Sequence, residues 1–197
     1  STAVSVLLIG LTMSGTAYSQ VPSWEREALI AFYNATDGDN WNIKNGWNGA
    51  AGTECDWYGV LCSSLSGSVV KIRLPDNALS GSIPVELGNL TKLINLFLNN
   101  NSLTGSIPVE LGNLTNLTEL DLTTNQLTGS IPPEIGNLTN LRVLELTNNQ
   151  LSGEIPVSIC DLNIDWNISW FFTINNNFSF TFNYCPYLRS FVMILIT

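Results

Sequence analysis

The chain has 197 residues, of which 45% are hydrophobic and 12% charged, and its formal net charge is −9. Seven basic residues are too few to neutralise a run of phosphates, which argues against nucleic acid or an anionic membrane as the partner. Because histidine is absent, the chain lacks the commonest general base and transition-metal ligand, and we predict a non-catalytic protein without metal or cofactor.

The N-terminal residues 1–19 are predicted to be a secretory signal. They combine an apolar run over 3–13 with a following stretch of small residues, which is typical of a signal core and its cleavage site. The run is shorter than the ~20 apolar residues that a membrane-spanning helix needs. We therefore expect a secreted or cell-surface protein with no stable membrane span in this chain.

The segment 20–64 predicts a helix followed by a tryptophan-rich region. Ser23 is expected to cap the helix, with Glu25 and Glu27 in its first turn. An apolar stripe at helical spacing follows, formed by Ala28, Leu29 and Phe32. Further along the segment lie Trp41, Trp47 and Trp57. We expect helix and tryptophans to cover the open end of the next domain, in preference to stacking on carbohydrate.

Four cysteines in an exported chain predict two disulfides. More than one pairing is open, but Cys55 and Cys62 lie close together before residue 65, whereas Cys160 and Cys185 lie near the other end of the chain. One local bridge at each end is the most economical pairing.

Over 65–163 the sequence repeats four times with a period of 24 residues. Three columns recur in register: Asn77, Asn101, Asn125, Asn149; Gly81, Gly105, Gly129, Gly153; and Pro84, Pro108, Pro132, Pro156. The LxxLxL motif, as in Leu117, Leu120 and Leu122, alternates apolar and polar residues as a half-buried strand does. Since one such strand cannot bury its face alone, we predict four stacked coils with parallel strands and a shared core.

Each column has a predicted structural role. The asparagine amides are expected to form a ladder, donating to and accepting from backbone groups that the turn leaves without partners. The glycines are expected at a positive φ or a close approach, and the following Ile-Pro turns the chain back.

The pattern LxxLxLxxNxLxGxIPxxLGNLxx over 70–162 resembles the plant-type leucine-rich repeats of receptor-like-kinase ectodomains and polygalacturonase inhibitors. The segments EREALIAFYNATDGDNW at 25–41 and CDWYGVLC at 55–62 are similar to the N-terminal cap of that family. The resemblance implies an α/β fold: a right-handed solenoid with parallel strands on its concave face and a helical, disulfide-linked N-terminal cap. No part of the sequence resembles a kinase domain.

Proteins of this family usually present ligands with exposed strand positions. The corresponding positions here are Lys71, Arg73, Asn95, Phe97, Glu119, Asp121, Val143 and Glu145. They change from basic at the first coil, through Phe97, to acidic at the third and fourth coils. We predict a ligand-binding surface with Phe97 as its central anchor, the alternative being that these are ordinary solvated positions. We reject a glycosidase interpretation of the carboxylates because an open surface excludes no water.

Glycosylation sequons occur at Asn34, Asn89, Asn100, Asn113, Asn116, Asn137, Asn167 and Asn177. Several arise because GNLT belongs to the repeat, so they predict a glycoprotein only in a host that glycosylates. A glycan on Asn100 would obstruct the neighbouring strand positions.

The segment 164–197 leaves the repeat pattern. A fifth coil fits if four residues are inserted and Asn177 takes the ladder position. Two interpretations remain open for this segment: an irregular C-terminal cap that includes Cys185, or sequence from a shifted reading frame.

We expect an extracellular recognition module for a protein or peptide. The alternatives are a fragment of a larger receptor or adhesin, a hydrolase inhibitor of the polygalacturonase-inhibitor type, and a binder of ice or another surface through the threonines at Thr91, Thr115 and Thr139. Carbohydrate is kept as an alternative partner. Four strands ~4.8 Å apart offer less than the ~800 Å² per partner of a standard interface. Loops, caps or further copies must therefore contribute to tight binding.

Overall fold

The computed structural model describes residues 20–164 and 175–178. The predicted signal segment 1–19 lies outside the described residues. So do Cys185 and most of the segment that follows the repeats.

The N-terminal cap begins with helix α1, Ser23–Ala35, as the apolar stripe predicted. The prediction that Ser23 caps this helix was wrong: Pro22 is the N-cap residue, Ser23 is already helical, and no side chain caps the end. The Pro22 carbonyl accepts hydrogen bonds from the amides of Glu25 and Arg26. Proline serves here because its fixed φ suits a helix start and its missing N–H would have no partner there.

The three tryptophans predicted to cover the repeats are buried against one another, as predicted. The rings of Trp41 and Trp47 meet edge to face with centroids 4.9 Å apart. Trp57 lies beside them, fully buried. Each indole N–H is paired, for example Trp41 Nε1 donating to the Thr36 carbonyl at 2.8 Å. These rings therefore form the cap core and offer no stacking platform for a sugar.

The strands fall into two series. In the sequence of each coil, one strand precedes the ladder asparagine and the other follows it. After β1, Val60–Cys62, in the cap, they are β2 Val69–Arg73, β3 Ser80–Ser82, β4 Asn95–Phe97, β5 Ser102–Thr104, β6 Glu119–Asp121, β7 Thr128–Gly129, β8 Val143–Glu145, β9 Gln150–Gly153 and β10 Asn177–Phe178. The main sheet has the order β1-β2-β4-β6-β8, with β1 antiparallel to β2 and the other pairs parallel.

The second series forms two small parallel sheets, β3-β5 and β7-β9-β10, and a single parallel bridge between Ser106 and Thr128 links them. These strands were not predicted, because they are two to four residues long and each contains at most one buried side chain. Three of the four column glycines lie in these strands, and Gly105 directly follows β5. Gly81 has a φ of +97°, and a Cβ there would lie 2.2 Å from the Ala35 carbonyl oxygen. Glycine is therefore required where the first coil meets the cap.

On the far side of the core, each coil adds one short helical segment. These are the 3-10 helices Val85–Asn89, Val109–Asn113 and Pro133–Asn137, and then α2, Val157–Cys160. They stack in a row that begins with α1, and we call this row the helical layer. Buried side chains in these segments and just after them close the core; they are Leu87, Leu90, Leu111, Leu114, Ile135, Leu138, Ile159 and Leu162.

The asparagine ladder is confirmed, and Asn125 shows its chemistry. The Nδ2 atom of Asn125 donates to the Leu122 carbonyl of its own coil at 3.1 Å and to the Leu98 carbonyl of the preceding coil at 3.0 Å. Its Oδ1 atom accepts from the Leu103 amide at 3.0 Å. At the front of the ladder, Asn77 pairs with both backbone groups of Ile43 and so ties the first coil to the cap.

The fifth ladder position is Asn176, and the prediction of Asn177 was wrong. The Oδ1 atom of Asn176 accepts from the Leu151 amide at 3.0 Å, and its Nδ2 atom donates to the Leu146 carbonyl at 2.9 Å. Asn177 instead belongs to β10, opposite Ser152. The insertion before this coil is one residue shorter than predicted, because strand pairing and not the aromatic spacing sets the register.

Disulfide chemistry follows the prediction where the structure describes it. Cys55 and Cys62 are bonded to each other, which joins the 3-10 turn Glu54–Asp56 to β1. Cys160 is also disulfide-bonded, and its predicted partner, Cys185, lies outside the described residues.

Candidate binding surface on the main sheet

The parallel register brings the eight predicted residues together in two rows, which we call the strand strip. The first row runs across neighbouring strands as Lys71, Asn95, Glu119 and Val143. The second row runs as Arg73, Phe97, Asp121 and Glu145.

Alternation along each strand makes the strip face away from the core. Between the two rows lie Ile72, Leu96, Leu120 and Leu144, all fully buried. Arg73 is exposed and the other seven strip side chains are partly exposed. Because a strand points successive side chains to opposite faces, burial of the apolar row leaves both strip rows available to a partner.

Phe97 lies at the centre of the strip, and a cation covers part of it. The Lys71 ammonium lies 5.9 Å from the centroid of the Phe97 ring, within the range of a cation–π contact. This contact links the first two strands of the repeats. An aromatic ring beside a cation offers a partner both apolar area and charge.

The acidic end of the strip is held by local backbone geometry. The Oδ1 atom of Asp121 accepts a hydrogen bond from the Thr123 amide at 3.0 Å, which fixes the carboxylate at the end of β6. Arg73 and Asp121 lie on strands two apart, ~9.6 Å between backbones at the usual strand spacing, and no salt bridge joins them. Within the described strip, therefore, Arg73 and Asp121 do not neutralise each other.

Sequence reasoning missed one residue of this surface, Leu61. Strand β1 pairs antiparallel with β2 and places Leu61 opposite Lys71, where its side chain is 53% exposed. The main sheet thereby extends the first row onto the cap with an apolar side chain. The sequence carries no signal for this position, because Val60, Leu61 and Cys62 are all apolar and the alternation of a buried Val60 with an exposed Leu61 is seen only in the structure.

The described residues show no centre for metal binding: no group of three or more His, Cys, Asp or Glu side chains could hold an ion. None of the helices in the described ranges is long and apolar enough to cross a bilayer.

Models of two protein families match the chain. The model for leucine-rich repeats matches residues 91–133 and 115–158, and the model for the leucine-rich-repeat N-terminal domain matches residues 22–63. Together these matches include the cap and the second to fourth coils.

Curated relatives are plant receptor kinases. The probable inactive receptor kinase At1g48480 of Arabidopsis thaliana is 39% identical over 98 residues, 48% of this chain and 13% of the kinase. The receptor-like serine/threonine-protein kinase FEI 2 of the same plant is 39% identical over 95 residues, 47% of this chain and 15% of the kinase. The chain spans only 10% to 13% of the length of the first three relatives.

Three solved structures are informative. The BIR2 ectodomain of Arabidopsis thaliana has a TM-score of 0.67 and 30% identity, over 82% of this chain and 84% of that one. The GASSHO1/SCHENGEN3 ectodomain of the same plant, solved in complex with CASPARIAN STRIP INTEGRITY FACTOR 2, has a TM-score of 0.65 and 35% identity, over 71% of this chain and 17% of that one. A plant ice-binding protein has a TM-score of 0.52 and 27% identity, over 81% of this chain and 58% of that one.

One family accounts for all of these observations: the repeat period, the asparagine ladder, the disulfide-linked cap and the matches to known proteins. The chain belongs to the leucine-rich-repeat proteins, with the repeats and the N-terminal cap of plant receptor kinase ectodomains.

Proposed function

We propose that this chain is an extracellular, non-catalytic recognition module that binds a protein or peptide on the strand strip. The observation that carries the proposal is the register: a cation, an aromatic ring and a carboxylate, at Arg73, Phe97 and Asp121, stand side by side on three consecutive strands. The complex of the GASSHO1/SCHENGEN3 ectodomain with CASPARIAN STRIP INTEGRITY FACTOR 2 supports a binding role for this fold.

The order of charges sets the chemistry of the partner. A ligand that crosses the strands would place an acidic group near Lys71 and Arg73 and a basic group near Asp121 and Glu145. Between β2 and β8 the strip crosses three strand spacings of ~4.8 Å, or ~14 Å in all. Four or five residues of an extended peptide, at ~3.3 Å each, would cover this distance. Because these charges are near the surface, we expect affinity to fall as ionic strength rises.

Location and processing are part of the proposal. Relatives of this chain are receptor kinases matched through their leucine-rich repeats, so the module would act outside the cell, alone or as the outer part of a larger receptor. Secretion through residues 1–19 and glycosylation at the sequons would accompany that role. The strip's binding activity does not depend on which of the two arrangements holds.

A displayed library of random 12-residue peptides tests the strip. Peptides enriched on the wild-type protein should bind the double variant Phe97→Ala, Asp121→Asn at least tenfold more weakly, because the variant removes the central ring and one charge. The matched control is Gln126→Ala with Thr128→Ala, two exposed residues outside the strip, which should bind like the wild type. Enriched peptides that bind all three proteins equally would refute the placement.

Ice binding is a second candidate function, favoured by the structural match to a plant ice-binding protein. Thr91, Thr115 and Thr139 are exposed at the same position of three consecutive coils. The neighbouring side chains of Asn116 and Asn140 donate to the carbonyls of Thr91 and Thr115 at 2.7 and 2.8 Å, so this face is regular and held in place. Thermal hysteresis that disappears in Thr115→Arg would support the candidate, and an absence of hysteresis in the wild type would reject it.

A further inference from the structure

The helical layer carries a row of exposed apolar side chains that the fold does not use. In each coil the short helix begins at the residue after the recurring proline. These first residues are Val85, Val109, Pro133 and Val157. All four are exposed, and the three valines are about half exposed. We call this row the apolar column; it lies on the opposite side of the core from the strand strip.

The column residues are not the main core contacts of their coils. The core contact of each short helix is made two residues later, for example by Leu87 and Leu111, which are fully buried. The preceding proline already sets the turn. The recurrence of half-exposed apolar residues on consecutive coils makes this face a candidate contact for another molecule.

The surroundings of the apolar column are acidic. Each of the first three coils places a glutamate directly after its column residue, at Glu86, Glu110 and Glu134. The fourth coil adds Glu154 and Asp161. The segments 82–91, 106–115, 130–139 and 154–163 contain no lysine or arginine. Like charges would therefore oppose a second copy of this face or an anionic bilayer, whereas a cationic partner is electrostatically matched.

The spacing of the column selects a helix over an extended chain. The coils repeat at ~4.8 Å where their strands pair, and this includes the second series of strands, which precedes each short helix. An amphipathic helix repeats its apolar stripe every three or four residues, or ~4.5–6 Å along its axis. Same-face residues of a strand repeat at ~6.6 Å and lose register with the column after the second coil. We propose that the apolar column binds a basic amphipathic helix, whose apolar stripe lies on the column and whose lysines or arginines face the glutamates.

An 18-residue helical peptide of leucine and lysine, with an apolar stripe and a fluorescent label, is the probe. Its binding is measured by fluorescence anisotropy against the full chain. The double variant Val109→Ser, Val157→Ser should bind at least tenfold more weakly, and because both side chains are exposed its unfolding transition should match that of the wild type. The triple variant Glu86→Gln, Glu110→Gln, Glu134→Gln should bind as weakly and with a smaller dependence on salt.

Two peptides and one variant serve as controls. A scrambled peptide of equal composition and a peptide with glutamate in place of lysine should both bind at least tenfold more weakly than the probe. Phe97→Ser, on the strand strip, should bind the probe like the wild type, which separates this site from the proposed function.

Equal binding of the scrambled peptide, or wild-type affinity in the Val109→Ser, Val157→Ser variant, would overturn the proposal. So would self-association in sedimentation that the column variant abolishes, because the occupant would then be a second copy.

Discussion

At the scale of single residues, the structure depends on polar side chains that satisfy buried backbone groups. Asn125 serves three such groups at once, on its own coil and the preceding one. Glu25 is a second example: its side chain is 2% exposed, and its Oε2 atom accepts a hydrogen bond from the Val69 amide at 2.7 Å. That contact ties α1 to the first strand of the repeats.

Replacing Asn125 with alanine should lower the free energy of unfolding by about 2–4 kcal/mol, because three backbone groups in a buried site lose their partner. The neighbouring exposed residue provides the control: Gln126→Ala should change stability by less than about 0.5 kcal/mol. Urea unfolding followed by circular dichroism measures both. If the two variants were equally stable, the ladder would not be a stabilising element.

Glu25 predicts a pH dependence of stability. Burial raises the pKa of its carboxyl above the ordinary value, and the hydrogen bond from the Val69 amide opposes that rise only in part. The folded chain therefore holds this proton to a higher pH than the unfolded chain does. The stability that the protonated group contributes is complete below the ordinary pKa and is lost as the pH rises through the folded pKa.

The variant Glu25→Gln keeps an oxygen for the Val69 amide and removes the titration. We expect its stability relative to the wild type to improve as the pH is raised from about 4 to 7, measured by urea unfolding at each pH. A relative stability that stays constant with pH, or worsens as the pH rises, would show that Glu25 is not held protonated by burial.

At the scale of elements, stacking decides the structure more than local sequence does. The strand pattern LxxLxL and the ladder asparagines could be predicted because each has a recurring residue signature. The second series of strands could not, since Ser80–Ser82 and its counterparts become strands only when neighbouring coils supply hydrogen bonds. The same reason explains Asn176: its register is set by pairing with the fourth coil.

The Cys55–Cys62 disulfide of the N-terminal cap should stabilise the way β1 is attached to the repeats. Removing it with Cys55→Ser and Cys62→Ser should lower the free energy of unfolding by about 2–3 kcal/mol, the value expected for a loop of this length. Thermal unfolding should shift down by several degrees. The strip variant Phe97→Ala serves as control for a surface change of the same sheet. An unchanged transition in the double serine variant would mean that β1 is held by other contacts.

At the scale of the whole molecule, the periodicity of 24 residues made most of the architecture and the strand strip predictable. A strict period places equivalent residues of successive coils next to each other. The sequence alone therefore predicts that Lys71, Asn95 and Glu119 are neighbours on adjacent strands, and the strand pairing agrees. Leu61 was missed because it belongs to the cap, which has no period. The contact of Glu25 with Val69 joins residues 44 positions apart, and no local sequence pattern predicts it.

The most direct test of the strand strip is a map of ligand-induced changes in the backbone amide resonances, using a peptide enriched from the displayed library. We predict that the changes concentrate at residues 71–73, 95–97, 119–121 and 143–145, and that they vanish in the variant Phe97→Ala, Asp121→Asn. Changes confined to the helical layer or to the cap core, with the strip unaffected, would contradict the proposal that the ligand binds on the strand strip.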